Sequence, residues 1–277
     1  MDRKKVKELQ DAQLDILMYV HGICDRLGLS YFLIFGSLLG AIRHKGHIPW
    51  DADIDIAMLR DDYEKLKQYL IENGDQRYFY SDYSTYKHHV APHAVLFDQK
   101  SHIEYSGHTT KKYAPAYDGV YIDIFPIDRT TSDRKLQLKQ AKSLMFVRKI
   151  IYYKLASVFS GKTTAPEKAA KQVFAFFLKP LTLRFLGKRI SKIQQKYESC
   201  DADCYVIPTD NTCFDRIVPL DYYAPPATVL FDGKPVYIPA KTEEILRQRY
   251  GDYRELPPED ERWNYLDNLI SDVRFDS

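Results

Sequence analysis

Features that would mark a membrane, secreted or metal-knuckle protein are missing from this sequence. No stretch reaches the roughly 18 consecutive apolar residues of a membrane-spanning helix. The first ten residues are charged and contain no apolar signal core. The cysteines, Cys24, Cys200, Cys204 and Cys213, show no Cys-x-x-Cys spacing, which argues against a zinc knuckle or a disulfide framework. We therefore expect a reduced cytoplasmic protein, placed at most at the inner face of the cell membrane.

Acidic residues are scarce in one long stretch of the chain. Residues 130–200 contain 16 Lys or Arg and three acids, a charge of +13, whereas the remainder contains 24 Lys or Arg and 35 acids, a charge of −11. Apolar and aromatic residues lie close to Lys179, Arg184, Lys188 and Arg189. This mixture suits an anionic membrane or a lipid-linked anionic substrate. A solvated basic helix with a core-facing stripe is an equal alternative, and a nucleic-acid surface ranks lower because no base-reading motif is present.

The chain does contain alternating helix-like and strand-like segments, and its 277 residues with 45% apolar content can bury a full core. Apolar spacing predicts an N-terminal helix that ends near Gly28. An Asp232-Gly233 pair predicts a β-hairpin over residues 228–238. Further helices are predicted at 60–72, 132–160, 166–199 and 242–250, and strands at 31–35, 78–81, 94–97 and 120–125.

Three acids at alternate positions, Asp51, Asp53 and Asp55, follow a Gly36-Ser37 turn. In an extended strand these acids would share one face. Crowded carboxylates repel each other, and a hard divalent cation that prefers oxygen, Mg²⁺ or Mn²⁺, removes the repulsion. A Gly-Ser turn between an apolar strand and a helix offers backbone N–H groups to a phosphate. The pattern favours a metal-dependent phosphoryl-transfer site over an acidic edge strand that faces solvent.

Residues 36–58, which begin Gly-Ser-Leu-Leu-Gly and end Asp-Ile-Asp-Ile-Ala-Met, resemble the LicD family of phosphotransferases, which includes the fukutin-related proteins. Residues 121–128 (YIDIFPID) and 250–258 (with Tyr-Gly-Asp-Tyr and Leu-Pro-Pro) are similar to the family as well. The core motif departs from the family at Ala52, where Asp is usual. Strand parity points position 52 away from the acids, so we expect metal binding to be spared.

The resemblance implies an α+β fold, a nucleotidyltransferase-like mixed sheet with flanking helices and a helical, basic insertion. We expect a catalytic core at 1–130, the insertion with a membrane or acceptor contact at 131–200, and a hairpin and helix that complete the core at 201–277. The implied reaction is metal-dependent transfer of a phosphorylated alcohol, first phosphocholine from CDP-choline, to a hydroxyl of a cell-surface glycan or teichoic acid precursor. Alternatives are transfer of glycerol phosphate, ribitol phosphate or phosphoethanolamine, nucleotidyl transfer to a small molecule, and a non-catalytic membrane-surface scaffold that binds glycan.

The resemblance also assigns the acids. Asp53 and Asp55 are expected to hold Mg²⁺ or Mn²⁺, with Asp51 as a further ligand or a close neighbour. Asp123, in the pattern Tyr-Ile-Asp-Ile-Phe, is expected on a neighbouring strand. It would share a second metal or accept the proton of the incoming hydroxyl.

Several other polar residues are candidates for substrate contacts. The basic residues between the phosphate turn and the acids either grip the donor phosphates or balance surface acids. The spacing of the His88, His89 and His93 cluster fits no common zinc motif, and we expect these side chains to line an acceptor cleft. Tyr250 is interpreted as a helix end. The expected substrate-binding residues are Gly36, Ser37, Arg43, His44 and Lys45.

Overall fold

The structure is a computed structural model that describes residues 2–105, 119–156, 176–178, 180–209, 212–263 and 270–276. It is an α+β protein, as the sequence predicted. The helices of the described residues are α1 (Arg3–Leu27), α2 (Phe35–Arg43), α3 (Arg60–Glu72), α4 (Arg134–Ala156), α5 (Leu183–Gln194) and α6 (Thr242–Tyr250). The strands are β1 (Phe32–Leu33), β2 (Asp55–Leu59), β3 (Tyr78–Ser81), β4 (Ala94–Asp98), β5 (Ser101–Tyr105), β6 (Tyr121–Arg129), β7 (Tyr205–Val206), β8 (Ala227–Phe231), β9 (Lys234–Ile238) and β10 (Ile270–Phe275).

A mixed sheet forms the centre, in the order β1-β2-β6-β4-β3, with β7 also paired to β6. Strands β2 and β6 run parallel, and the other pairs of this sheet are antiparallel. Alternate residues of the two parallel strands enter different apolar clusters. Ile56 and Ile124 lie in the main core, whereas Ala57 and Phe125 lie in a second cluster. Both faces of the sheet are therefore covered.

Helix α1 confirms the prediction from apolar spacing. Asp2 caps its first turn by accepting a hydrogen bond from the Lys4 N–H, and the helix ends at Gly28, whose φ of 65° suits a residue without a side chain. The helix buries Leu9, Ile16 and other apolar residues against the sheet and hairpin. Its position fixes two glutamines, described below, that reach the acidic segment.

The hairpin of β8 and β9 is confirmed, with Asp232 and Gly233 both at positive φ, 47° and 78°, as its two-residue turn requires. A pairing that the sequence did not predict joins β5 to β10 near the C-terminus. Helices α3 and α6 and strands β3 and β4 agree with prediction to within one residue.

Helices α4 and α5 pack against each other around a small core that includes Leu144, Leu186 and Phe214. The prediction of one continuous helix over 166–199 is wrong for its described part, because α5 begins only after Thr182, whose side chain accepts from the Phe185 N–H. Pro180 lies just before this start. A proline disrupts a helix that runs through it, because it lacks the backbone N–H and clashes with the preceding turn. Residues 157–175 and Lys179 lie outside the described part of the chain. Among the described helices, none is both long and apolar enough to cross a membrane.

Candidate active site

The acidic segment is held in place by two glutamines of α1. The side-chain amide of Gln10 donates to the carbonyls of Ile48 and Asp51, at 3.1 and 3.0 Å, and that of Gln13 donates to the carbonyl of Ala52 at 2.7 Å. Both glutamines are buried. Because a buried amide without a partner is costly, these bonds fix the loop that carries the first acids.

The acids lie where two parallel strands begin. Asp55 is the first residue of β2 and stands directly opposite Asp123 of β6. The prediction of an extended strand through all three acids is wrong for Asp51 and Asp53, which precede β2 in irregular chain. Their carboxyl groups nevertheless lie close to each other, since burial and, after it, the charge of Asp51 raise the pKa of Asp53.

The electrostatics of these acids are those of a site that lacks positive charge. Burial raises the pKa of Asp53 and of Asp55 well above the usual range, and repulsion from neighbouring acids, Asp123 among them, raises both further. Burial also raises the pKa of Asp51. The charge of Arg249 acts in the opposite direction on the pKa of Asp55. Like charges placed together in this way favour a bound cation.

The donor set fits Mg²⁺ or Mn²⁺ by its chemistry, because it offers carboxylate oxygens alone. Within the described residues, no three His, Cys, Asp or Glu side chains converge as a ready-made metal site. Mg²⁺ is usually bound by one or two carboxylates together with substrate phosphates and water. The Asp53 and Asp55 carboxyls supply that number.

The N-terminus of α2 lies against the acids. Gly36 has no room for a side chain, because a Cβ there would be 2.5 Å from Asp51 Oδ2. Ile34 caps the helix without a side-chain hydrogen bond, and the first helical bond runs from the Leu38 N–H to the Ile34 carbonyl. The preceding amides therefore have no helical partner, which suits an anion.

Phe35 and Ser37 shape this helix start. Phe35, predicted as the end of a strand, is the first residue of α2 and has a φ of 51°, which a bulky side chain rarely adopts outside functional turns. The Ser37 hydroxyl is buried and accepts from the Asp55 N–H at 2.8 Å. Ser37 thus joins α2 to β2 and fixes the distance between the helix amides and the acids.

Of the three predicted basic contacts, Arg43 reaches the C-terminal part of the chain. The Arg43 guanidinium donates to the carbonyls of Tyr253 and Glu255, both at 3.0 Å. His44 packs edge-on against the Trp50 ring, and burial together with Arg43 lowers its pKa. Lys45 has an exposed side chain. The two Arg43 bonds hold the 250–258 segment against α2. Contact of these three side chains with the donor stays a prediction.

Two residues that sequence reasoning missed come from the end of α6. The Arg249 guanidinium lies 4.0 Å above the Phe35 ring. Burial raises the pKa of Tyr250, and the charges of Asp55 and Asp51 add to the effect, which places this phenol near the acids. Interpreting Tyr250 as a helix end alone was therefore incomplete. The signal was available, because Tyr250 opens a segment that resembles the family.

The structure separates the three clustered histidines. His89 is buried, its ring is held by the Ser81 hydroxyl and by backbone carbonyls, and burial lowers its pKa to about 4. His88 is exposed. His93 Nε2 lies 3.1 Å from Asp123 Oδ1, and its ring stacks 4.0 Å from that of Phe125. His93 also lines a cleft of about 250 Å³ between α3 and α5, so it alone of the three connects a cleft to the acids.

Comparison with known proteins identifies the family of this chain. A family model described as "LicD/FKTN/FKRP, nucleotidyltransferase domain" matches residues 28–191, more than half of the chain. The chain is 28% identical over 265 residues, 95% of its own length and 96% of the relative's, to the lipopolysaccharide cholinephosphotransferase LicD of Haemophilus influenzae. It is also 44% identical over 50 residues to the ribitol 5-phosphate transferase FKRP of Homo sapiens. This match covers 18% of this chain and 10% of that protein. The chain therefore belongs to the LicD/FKTN/FKRP nucleotidyltransferase-domain family and is a transferase of phosphate-containing groups.

Proposed function

We propose that the protein transfers a phosphorylated alcohol, in the first place phosphocholine from CDP-choline, to a hydroxyl of a cell-surface glycan or teichoic acid precursor in a reaction that depends on Mg²⁺ or Mn²⁺. The observation that carries the proposal is that Asp55 faces Asp123 where the parallel pairing of β2 and β6 begins, with Asp53 two residues before β2. The start of α2, whose first amides have no helical partner, is bonded to this point through Ser37. The full-length similarity to a cholinephosphotransferase supports phosphocholine as the group transferred.

The chain's own groups divide the work of the transfer. The amides at the start of α2 bind the donor diphosphate. Asp53 and Asp55 would hold the divalent ion, with Asp51 beside them, and the ion would neutralise charge on the leaving CMP. Asp123 accepts the proton of the acceptor hydroxyl as its oxygen bonds to the attacked phosphorus and the phosphorus–oxygen bond to CMP breaks.

The acceptor reaches this site through the cleft that His93 lines. The cleft runs between α3 and α5, and His93 bonds to Asp123 at its inner side. Arg184 and Lys188 of α5 line the same cleft and are exposed. A cleft lined by two cations and a histidine suits a polar or anionic glycan.

Incubation with a panel of CDP-linked choline, ethanolamine, glycerol and ribitol, with Mg²⁺ and an isolated glycan precursor, tests the proposal. Mass spectrometry of acceptor and nucleotide identifies the donor used. Release of free CMP with a phosphorylated alcohol on the glycan supports the proposal, whereas CMP on the acceptor would assign nucleotidyl transfer instead.

Two variants link the reaction to the acids. We expect Asp53→Ala and Asp123→Asn to abolish CMP release while the circular dichroism spectrum is retained. Asp221→Asn is the matched control, because Asp221 is an exposed acid paired with Lys241. Unchanged turnover in either site variant would remove that carboxylate from the mechanism.

A further inference from the structure

Helices α4 and α5 contain no acidic residue. Their sequences hold seven Lys or Arg in α4 and four in α5, with no Asp or Glu in either. A surface helix normally mixes charges of both signs, because interspersed charges stabilise the helix and keep it soluble. A pair of helices with one sign of charge implies a partner of the opposite sign.

An open groove of about 750 Å³ lies between these two helices. We call it the basic groove and define it by its apolar residues Leu138, Phe146 and Phe185 and by its rim of Lys135, Lys139, Lys142 and Arg189. Phe146 is 66% exposed, Phe185 is 55% exposed and Leu138 is 42% exposed. Among the described residues that line the groove, none is acidic.

These exposed side chains are not the stripe that the two helices use to pack. The core between α4 and α5 is built by a separate set, which includes Leu144, Val147 and Ile190, all buried. Large exposed aromatic residues beside that core serve no packing role in the described chain. Patches of this kind mark a contact surface.

The charge of the groove selects its occupant. A second copy that docked through the same two helices would bring the same cations to the contact and would be repelled. Residues 157–175 contain Lys162, Lys168 and Lys171 against the single acid Glu167, so they could not neutralise the rim either. An anionic lipid bilayer provides negative head groups for the lysines and an apolar layer for the phenylalanines.

We propose that the basic groove docks the protein on an anionic phospholipid surface, with Phe146 and Phe185 inserted at the head-group level. Lysines and arginine on the rim contact lipid phosphates, while their aliphatic stems cover the inserted rings. This contact goes beyond the transfer reaction, and it would bring the enzyme to acceptors that are carried on lipid.

The structure also divides the basic residues that the sequence grouped together. Arg189 lies on the rim of the basic groove, whereas Arg184 and Lys188 line the cleft beside His93. One helix therefore carries cations on two faces. This division supplies a matched control, because the same number of charges can be changed on the rim of the groove and on the part of α5 outside it.

The test is cosedimentation of the purified full chain with vesicles of equal parts phosphatidylglycerol and phosphatidylcholine, and with pure phosphatidylcholine. We expect the parent to bind only the vesicles that contain phosphatidylglycerol. Binding should be weakened about 100-fold in Lys139→Glu/Lys142→Glu/Arg189→Glu, since each basic residue near an anionic surface contributes a similar amount of binding free energy. The control Arg184→Glu/Lys188→Glu/Lys192→Glu carries the same charge change outside the groove and should keep most of the binding. Equal loss in both variants would reduce the effect to net charge and overturn the proposal.

A second pair of variants tests the aromatic contact. We expect Phe146→Ser/Phe185→Ser to weaken vesicle binding about tenfold, because two buried rings are lost. Phe275→Ser, at another exposed phenylalanine, should bind as the parent does. Undiminished vesicle binding by Phe146→Ser/Phe185→Ser would overturn the insertion of the two rings. The proposal would also be overturned if this variant changed the sedimentation of the free protein, which reports self-association, and left vesicle binding unchanged. The vesicles contain no donor or glycan, so the result does not depend on the transfer reaction.

Discussion

The two ends of the β2–β6 pair carry buried acids in opposite settings. At one end Asp55 faces Asp123, and burial and repulsion raise the pKa of Asp55 well above its usual range. Just past the other end, Arg60 binds Asp128 with two hydrogen bonds, at 2.6 and 2.8 Å. Burial lowers the pKa of Arg60, but Asp128 more than offsets this, so the guanidinium stays charged.

The difference teaches how to separate structural from functional acids on one sheet. Burial raises the pKa of Asp128 as well, but the hydrogen bonds and charge of Arg60 act against this rise, so the chain itself supplies the partner of this acid. The acids at the other end are not compensated to the same degree, and we expect a bound cation to supply the missing positive charge. The comparison gives opposite expectations for removing a charge at each end.

The largest effect is expected when Asp55→Asn is made at the uncompensated end. Transfer activity should fall about 1000-fold or more, which corresponds to the several kcal/mol of charge stabilisation that a metal supplies. The folded protein should be no less stable, because a repelling charge is removed. The measurements are CMP release and urea unfolding. A variant that is inactive because it is destabilised would break the comparison.

Removing Asp128, the acid that Arg60 neutralises, should lower the stability of the fold. We expect Asp128→Asn to lower the free energy of unfolding by about 3–5 kcal/mol, because Arg60 is left buried with an incomplete partner. Glu64→Gln removes the half-exposed partner of the same arginine and should cost less than about 1 kcal/mol. Equal losses in the two variants would show that the buried pair has no special weight.

Addition of Mg²⁺ should stabilise the protein only where the acids near Asp55 are intact. At about 100 times its dissociation constant, a ligand that binds only the folded state adds about 2.7 kcal/mol of stability. The parent and Asp128→Asn should both gain melting temperature with Mg²⁺, whereas Asp53→Asn should gain little. A similar gain in all three proteins would place the ion elsewhere. Differential scanning fluorimetry measures all three.

A smaller effect is expected at Arg249, the cation that acts on Asp55. Arg249→Gln should reduce kcat/KM about tenfold, the scale of one charge-assisted contact. Arg247→Gln is the control, since Arg247 lies two residues away on α6 and pairs with the exposed Glu243. Indistinguishable kinetics of the two variants would remove Arg249 from the site.

The pH dependence of stability without metal sharpens the comparison further. A carboxyl whose folded pKa is raised contributes stability that is complete below its ordinary pKa, 3.8, and is lost as the pH rises through the raised value. In chelator, the parent should therefore lose stability relative to Asp53→Asn/Asp55→Asn as the pH rises from about 4. Urea titrations at successive pH values test this. Parallel curves for the two proteins would contradict the raised pKa values.

Local signals made most of the fold predictable. Gly28, the Asp232-Gly233 pair and the apolar spacing of α1 each act over a few residues, so their consequences can be inferred from the sequence. The β5–β10 pairing could not be inferred, because its strands are short and far apart in the chain. No local pattern specifies such a partner.

The site was predictable in its acids and not in its surroundings. Asp53, Asp55 and Asp123 stand out by type and spacing, and the structure sets Asp55 directly opposite Asp123. The Arg249 contact with Phe35 depends on how α6 packs against α2, which is a tertiary result. The same holds for Arg43, whose partners are backbone carbonyls that no side-chain pattern reveals.

Gly36 ties the geometry of the helix start to that of the Asp51 carboxylate, because not even a methyl group fits between them. Under the proposed function, recognition of the reacting phosphate by the helix amides and control of its charge by the acids would both depend on this close approach. An enlarged residue at this position would move both at once. We expect related enzymes with other donors to differ where the alcohol is held, while the surface that faces the phosphorus stays the same.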